Sequence, residues 1–403
     1  RVITHRIVHL VHQGTAHRNI LAVTFTNKAA KEMRERVGEL IKQYPPSDRA
    51  AIDSLPVVTT FHYLGVRILR EFHEPLGLRR HLTIYDRSDS QKAVKQSIEQ
   101  AGYNPKEFEP RKILGMISRA KGDAMTQLQF QGSGSSFPEQ VAAEVWDKYE
   151  AILKQEHALD FDDLLAKTLR LLENNKEVRD TLRNRYQYIH VDEYQDTNKV
   201  QFETMELLVG DKQNICVVGD IDQNIYSWRG ADIKNVLQFE KHFRDATTIL
   251  LEENYRSTQT IIAASNDIIE KNQNRVEKTV FTNNQEGEKI TLYAGMTGYD
   301  EAEYVAMTAQ SLIANGAEPA SIAVLYRTNF QSRALEEAFL NFDVPYQLLG
   351  TKFFERKEVK DVLSYLRLAL NPGSNADLVR VINTPARGIG KVTMLKVVAG
   401  KRE

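Results

Sequence analysis

The sequence predicts an α/β protein with a parallel sheet and a helical insertion, and three observations carry that prediction. Short runs rich in β-branched residues recur at 20–25, 57–60, 188–191 and 214–218, the pattern of buried strands. Polar residues close the first two runs, and amphipathic helical patterns follow at 29–41 and 61–70, the alternation of a parallel sheet with helical crossovers. Residues 74–183 are helical and polar and interrupt that alternation.

Composition limits the function classes. A chain of 403 residues has room for two or three domains. Lys plus Arg (53) nearly balance Asp plus Glu (54), so binding to nucleic acid has to rest on local basic and aromatic surfaces rather than on net charge. The single cysteine, Cys216, excludes a disulfide framework and a cysteine-rich zinc site. No apolar run approaches the roughly 20 residues a bilayer requires, and there is no signal-peptide pattern. The expectation is a cytoplasmic protein with no membrane partner. The first residue, Arg1, opens directly onto an amphipathic pattern with Ile3, Ile7, Leu10 and Val11 at helical spacing, and the chain is expected to be an internal fragment.

The informative stretch is YQYIHVDEYQDTNKV, residues 186–200. Its apolar run stops at Asp192 and Glu193, and acids at the carboxyl end of a parallel strand lie in the crevice where such sheets bind ligands. Two carboxylates there suit nucleotide hydrolysis: Asp192 to hold Mg²⁺, usually through water, and Glu193 to polarise the attacking water. The next strand leads into GDIDQNIYSWRGA, residues 219–231. A neutral glutamine so placed, Gln223, can contact a γ-phosphate or its water, and Tyr226 and Trp228 follow within reach of a base. Two other features have plainer explanations. QGSGSSFPE at 131–139 has glycines but no following Lys-Ser or Lys-Thr, so a flexible linker is expected rather than a phosphate loop. Asp160, Asp162 and Asp163 precede an amphipathic helix, where capping and charge–dipole stabilisation explain them without a metal.

DEYQD after an apolar strand, with GDIDQNIYSWRGA after the next, resembles motifs II and III of superfamily 1A DNA helicases of the UvrD/Rep/PcrA type. The resemblance implies RecA-like parallel-sheet domains of the P-loop NTPase type. It extends along the whole chain. Residues 20–41 resemble motif Ia, which implies Phe25 against a base and Thr26, Asn27 and Lys28 near the strand's backbone. Residues 57–70 resemble motif Ib, with Thr60 and His62 as DNA contacts, but Tyr63 and Gly65 depart from the family pattern. Motif III implies Gln223 at the γ-phosphate and Tyr226 and Trp228 stacked on DNA. NYRSTQTII resembles motif IV, with Tyr255 on the adenine and Arg256 on the γ-phosphate. Arg1 adjoins the position of the family's phosphate loop and is a further nucleotide-binding candidate. No G-x-x-x-x-G-K-[ST] string occurs in the chain, and GIGKVT at 388–393 fails the pattern.

By the same resemblance, residues 1–73 and 184–254 form domain 1A, 74–183 the helical subdomain 1B, 255–373 domain 2A and 374–403 the start of subdomain 2B. Strands are expected at 247–252, 290–294, 321–327 and 344–350, and helices at 258–271, 300–314 and 331–341. Arg327, Arg356 and Lys357 are candidate phosphate or DNA contacts. TPARGIG at 384–390 is expected either to offer backbone N–H groups to duplex phosphates or to be a plain interhelical turn. The implied activity is ATP- and Mg²⁺-dependent 3′→5′ translocation on single-stranded DNA, with unwinding at single-strand/duplex junctions; the oligomeric state is left open, a free monomer included. The isolated chain is expected to hydrolyse little or no ATP. Two alternatives stay open: a non-catalytic single-strand-binding module of the same fold, and a RecB-like subunit of a nuclease complex.

Overall fold

The computed structural model describes residues 1–43, 55–80, 82–134, 136–227, 230–272, 277–348, 357–370, 375–390, 393–394 and 396–397. Trp228 and Arg356, and the last two residues of the strand expected at 344–350, lie outside them. By packing, the chain divides into two units, 1–287 and 288–403.

The first unit is organised on a parallel sheet in the order β2-β1-β5-β6, formed by β1 (Ile20–Thr24), β2 (Val57–Thr60), β5 (Tyr188–Val191) and β6 (Ile215–Val217). Every residue of β1 is buried, as a central parallel strand covered on both faces requires. Its alternation divides two cores. Ile20 and Ala22 meet Ile7, Val11, Met33 and Val37 from α1 (Val2–His12) and α2 (Asn27–Gln43). Leu21 and Val23 belong with Leu64, Ile68, Ile189 and Leu208, which brings in α3 (Phe61–Glu71) and α10 (Lys199–Val209).

The inserted helices α4 (Arg87–Gln100), α5 (Pro110–Gly122), α6 (Gln127–Ser133) and α7 (Phe137–Gln155) close around Ile98, Ile117, Trp146 and Tyr149. A two-stranded parallel pair, β3 (Thr83–Ile84) and β4 (Ala158–Leu159), lies beside them. Next comes α8 (Phe161–Asn174), which packs on both α5 and α3. Its approach to α3 requires Gly65, because a Cβ there would lie 2.3 Å from the Leu164 carbonyl oxygen. Asp160 caps α8 in a reciprocal box with Asp163, in line with the capping role expected for these acids. They also face a cation that the sequence did not point to. Buried Lys121 of α5 pairs with Asp163 at 2.8 Å, Glu150 at 2.9 Å and Asp160 at 3.0 Å.

The glycine-serine stretch is a correction. Rather than a flexible linker across 131–139, α6 continues to Ser133 and α7 begins at Phe137. Ser136 and Glu139 form a capping box and Pro138 sits in the first turn, signals strong enough to start a helix against the local glycine content.

The remaining helices in the first unit include α9 (Lys176–Arg185), the short α11 (Lys234–Leu237) and α12 (Phe239–His242), and α13 (Gln259–Ile269). In the second unit, α14 (Gly298–Ala314) and α15 (Ser332–Asn341) pack through Ala302, Ala306, Ala309, Ala338 and Phe339. They are followed by α16 (Lys357–Leu370) and α17 (Asn375–Val381). The helices expected at 258–271, 300–314 and 331–341 are thus present within two residues at each end. The strands expected at 247–252, 290–294, 321–327 and 344–348 are not: among the described residues these segments form no ladder beyond an isolated bridge from Glu253 to Phe281. Leu292 and Leu325 are each more than 90% exposed. A β-branched run becomes a strand only where partners cover its backbone and faces, and local pattern does not supply them.

Candidate functional site

Parallel strands place their carboxyl ends along one edge of the sheet, so the polar residues after β1, β2, β5 and β6 are brought together there. Asp192 follows β5, and its N–H donates to the Val23 carbonyl at 2.9 Å. Its carboxyl is half-buried and raised from the ordinary carboxylate range, first by burial and then by the adjacent Glu193. Glu193 is exposed in the left-handed region, φ 52°, a conformation that costs free energy for a side-chain-bearing residue and recurs at functional sites. Its Oε2 accepts from Gln195 Nε2 at 2.8 Å. Asp196, also near Glu193, is pushed up to about 6, by burial and then by that charge.

Beyond β6 the chain turns at Gly219 into Asp220 and a short helical turn, Ile221–Gln223. Gln223 is exposed, and its Nε2 donates to Asp220 Oδ2 at 2.8 Å. Burial would push Asp220 up, but hydrogen bonds from Lys278 and Gln223 outweigh it and hold the carboxyl below its ordinary range. Lys278 also pairs with Asp222 at 3.5 Å. A fixed amide and a fixed cation therefore shape the loop that carries Gln223.

Asn254 shapes the segment that carries the next two candidates. Its Oδ1 accepts from the backbone N–H groups of Arg256, at 2.9 Å, and Ser257, at 2.8 Å, a side-chain turn that projects the intervening residues. Tyr255 is exposed, its hydroxyl donating to Glu253 at 2.5 Å. Arg256 is exposed, and its guanidinium makes no ion pair among the described residues. Arg1 is exposed at the start of α1, where its carbonyl accepts from the Thr4 hydroxyl at 2.7 Å.

The candidate DNA contacts differ in availability. Phe25 is half-buried, edge-to-face with Phe61 at 5.6 Å between centroids. Thr26 caps α2 through Ala29 N–H, while exposed Lys28 reaches Glu32 at 3.9 Å and Asn27 is exposed at the helix start. Thr60 is buried and its hydroxyl caps α3 by accepting from Tyr63 N–H. His62 lies against the Phe161 ring at 6.0 Å, and burial lowers its pKa. Tyr226 is half-buried in the loop after Gln223. In the second unit Arg327 and Lys357 are exposed. In TPARGIG, the Ile389 N–H is already taken by Asn383 Oδ1 at 3.1 Å, so that donor is not offered to a phosphate.

Sequence reasoning missed Gln195, Asn224 and Lys278. Gln195 stands two positions from Glu193 inside the very motif, a signal overshadowed by the acids. Lys278 is 58 positions from Asp220, and nothing local announces that pairing.

Residues 1–244 match the UvrD/REP helicase N-terminal domain and residues 249–402 the UvrD-like helicase C-terminal domain. Over 399 residues the chain is 45% identical to the ATP-dependent DNA helicase PcrA of Staphylococcus aureus strain Mu50 and 44% identical to that of Staphylococcus epidermidis strain ATCC 35984. These alignments cover 98% of this chain and 54% of each relative, so the chain spans about half the length of the curated relatives it matches. With both domain matches along a parallel-sheet fold whose carboxyl edge gathers Asp192, Glu193 and Gln223, the chain belongs to the UvrD/Rep family of superfamily 1 helicases.

Proposed function

We propose that this chain carries the hydrolytic and strand-contacting residues of an ATP- and Mg²⁺-dependent DNA helicase that moves 3′→5′ along single-stranded DNA and opens duplex at junctions. The observation that carries the proposal is the meeting of the Asp192–Glu193 pair and the Gln223 loop at one sheet edge, joined through Gln195. The residues fit the nucleotide: a carboxylate raised by burial and like charge gains from a cation, and the exposed Arg256 guanidinium, with no ion pair among the described residues, suits phosphate oxygens in a fork. Bound Mg²⁺·ATP supplies the phosphoanhydride to be cleaved and the charge that offsets its oxygens.

In this scheme Asp192 would hold the metal, and Glu193 would orient the attacking water and take its proton. Gln223 senses the γ-phosphate while staying neutral. Tyr255 lies on the adenine, and Arg256 stabilises charge on the transferring group. Closure around nucleotide shifts Phe25, Tyr226 and Trp228 against successive bases, where stacking contributes about 1–3 kcal/mol per base. Thr26, Asn27, Lys28, Thr60, His62, Arg327, Arg356 and Lys357 attend the strand's backbone. Domains 1A, 1B, 2A and 2B divide as the resemblance implies, and the protein works in the cytoplasm.

The test is Glu193→Gln in the protein encoded by the whole gene. Hydrolysis is expected to fall by roughly 10²-fold or more while single-stranded DNA binding is retained; undiminished hydrolysis overturns the proposal. The 403-residue chain alone is expected to release little phosphate with single-stranded DNA present.

A further inference from the structure

We propose that Gln195 is a positioning residue that holds the Glu193 carboxylate in place and ties it to the loop carrying Gln223. The inference rests on the assignment of Glu193 as the base.

Gln195 is 1% exposed, and both ends of its side-chain amide are used. Nε2 donates to Glu193 Oε2 at 2.8 Å, and Oε1 accepts from the Asp220 N–H at 2.9 Å. The two partners decide which end is which, since an ionised carboxylate only accepts and a backbone N–H only donates. The Gln195 carbonyl in turn accepts from Asn224 Nδ2 at 2.6 Å. Asp220 accepts from Gln223 at 2.8 Å. An unbroken line of hydrogen bonds thus runs from the base, through a buried amide, to the loop that carries the γ-phosphate candidate.

Space is reserved for this arrangement. At Gly219 a Cβ would stand 2.7 Å from Gln195 Oε1 and 3.2 Å from the N–H nitrogens of Tyr194 and Gln195. Glu193 itself is exposed. Left alone, a solvated glutamate samples several rotamers, and a base displaced by about 1 Å forfeits roughly 10² in rate. The Gln195 amide removes that freedom by pinning one carboxylate oxygen, leaving the other for water. Because its acceptor end is anchored on Asp220, a shift of the loop is transmitted to the base.

The experiment compares Gln195→Met, which removes both hydrogen bonds, with Gln195→Asn, whose shorter side chain keeps an amide but cannot span Glu193 and Asp220 together. Both are made in the protein encoded by the whole gene, beside Glu193→Gln. In Gln195→Met, kcat with single-stranded DNA is expected to fall roughly 10²-fold, with KM for ATP and the Kd for the strand unchanged. Without nucleotide, exchange of the Asp220 amide is expected to accelerate roughly tenfold while the amides of β1 stay protected. Gln195→Asn is expected to lower kcat as well, because an amide that grips one partner does not tie the two together. Should Gln195→Met lose its fold, seen as a collapsed Tm, Gln195→Asn carries the test. Full kcat in a folded Gln195→Met or in Gln195→Asn, while Glu193→Gln is inactive, overturns the positioning role and leaves Glu193 as base. Undiminished hydrolysis in Glu193→Gln overturns the assignment beneath it.

Discussion

Arg256 and Gly65 show two ways in which one residue can matter. Arg256 is held out by the Asn254 turn, exposed and with no ion pair among the described residues, which leaves its charge for a phosphate. We expect Arg256→Ala to lower kcat by roughly 10³-fold, and Arg256→Lys to recover little of it, because an ammonium cannot reproduce the planar fork; steady-state hydrolysis with single-stranded DNA checks both. Gly65 acts through the absence of a side chain. A methyl group there would overlap the Leu164 carbonyl, and backbone cannot swing aside as a flexible side chain can. Gly65→Ala should cost about 1–3 kcal/mol, read from the urea midpoint, with α3 and α8 forced apart. The departure of Gly65 from the family pattern was visible in the sequence; the reason for a glycine was not, because Leu164 lies a hundred residues away.

Between elements, the decisive feature is the Lys121 cluster joining α5, α7 and the start of α8. Breaking a buried ion pair from one side strands the other charges, so Lys121→Met is expected to cost about 3–5 kcal/mol, measured by chemical denaturation. The cluster also gives stability a pH signature. Burial pushes Asp163 up to about 6, against the pull of Lys121. Its native form therefore keeps a proton that the unfolded chain has already released, and stability from this group, present at pH 4, is lost as pH rises through 6. Glu150 behaves oppositely: burial would raise it, but Lys121 and Lys167 outweigh burial and hold it at about 2. Its contribution is present above the unfolded value near 4.5 and is lost as pH falls toward 2. In Asp163→Asn, the decline in unfolding free energy between pH 4 and 6 should be shallower by on the order of 2 kcal/mol than in the wild type. The capping acids of this segment were legible in DFDD; their shared cation was not.

At the scale of the whole molecule, the two units express their strand-like sequence differently. In the first, β1 is buried at every position. In the second, 290–294 and 321–327 carry the same kind of β-branched run, yet no ladder covers them among the described residues. Amides at 322–326 are therefore expected to exchange roughly 10²-fold faster or more than those at 20–24, read by hydrogen-exchange mass spectrometry. Equal protection would show that the run in the second unit is paired after all.

Periodicity, caps and short motifs act through neighbours in the chain, so they were readable in advance. They located β1, β2, β5 and β6, the helices that follow, the acids at the end of β5 and the glutamine beyond β6. Contacts between distant segments left no such trace. The grip of Gln195 on Asp220, the Lys278 pairs, the fit of Gly65 against Leu164 and the burial of Lys121 each depend on where remote backbone arrives. A strand's existence belongs with these, since hydrogen-bonding partners and covered faces come from elsewhere in the chain, while a helix satisfies its own backbone. That is why the expected helices of the second unit formed while its expected strands found no ladder among the described residues.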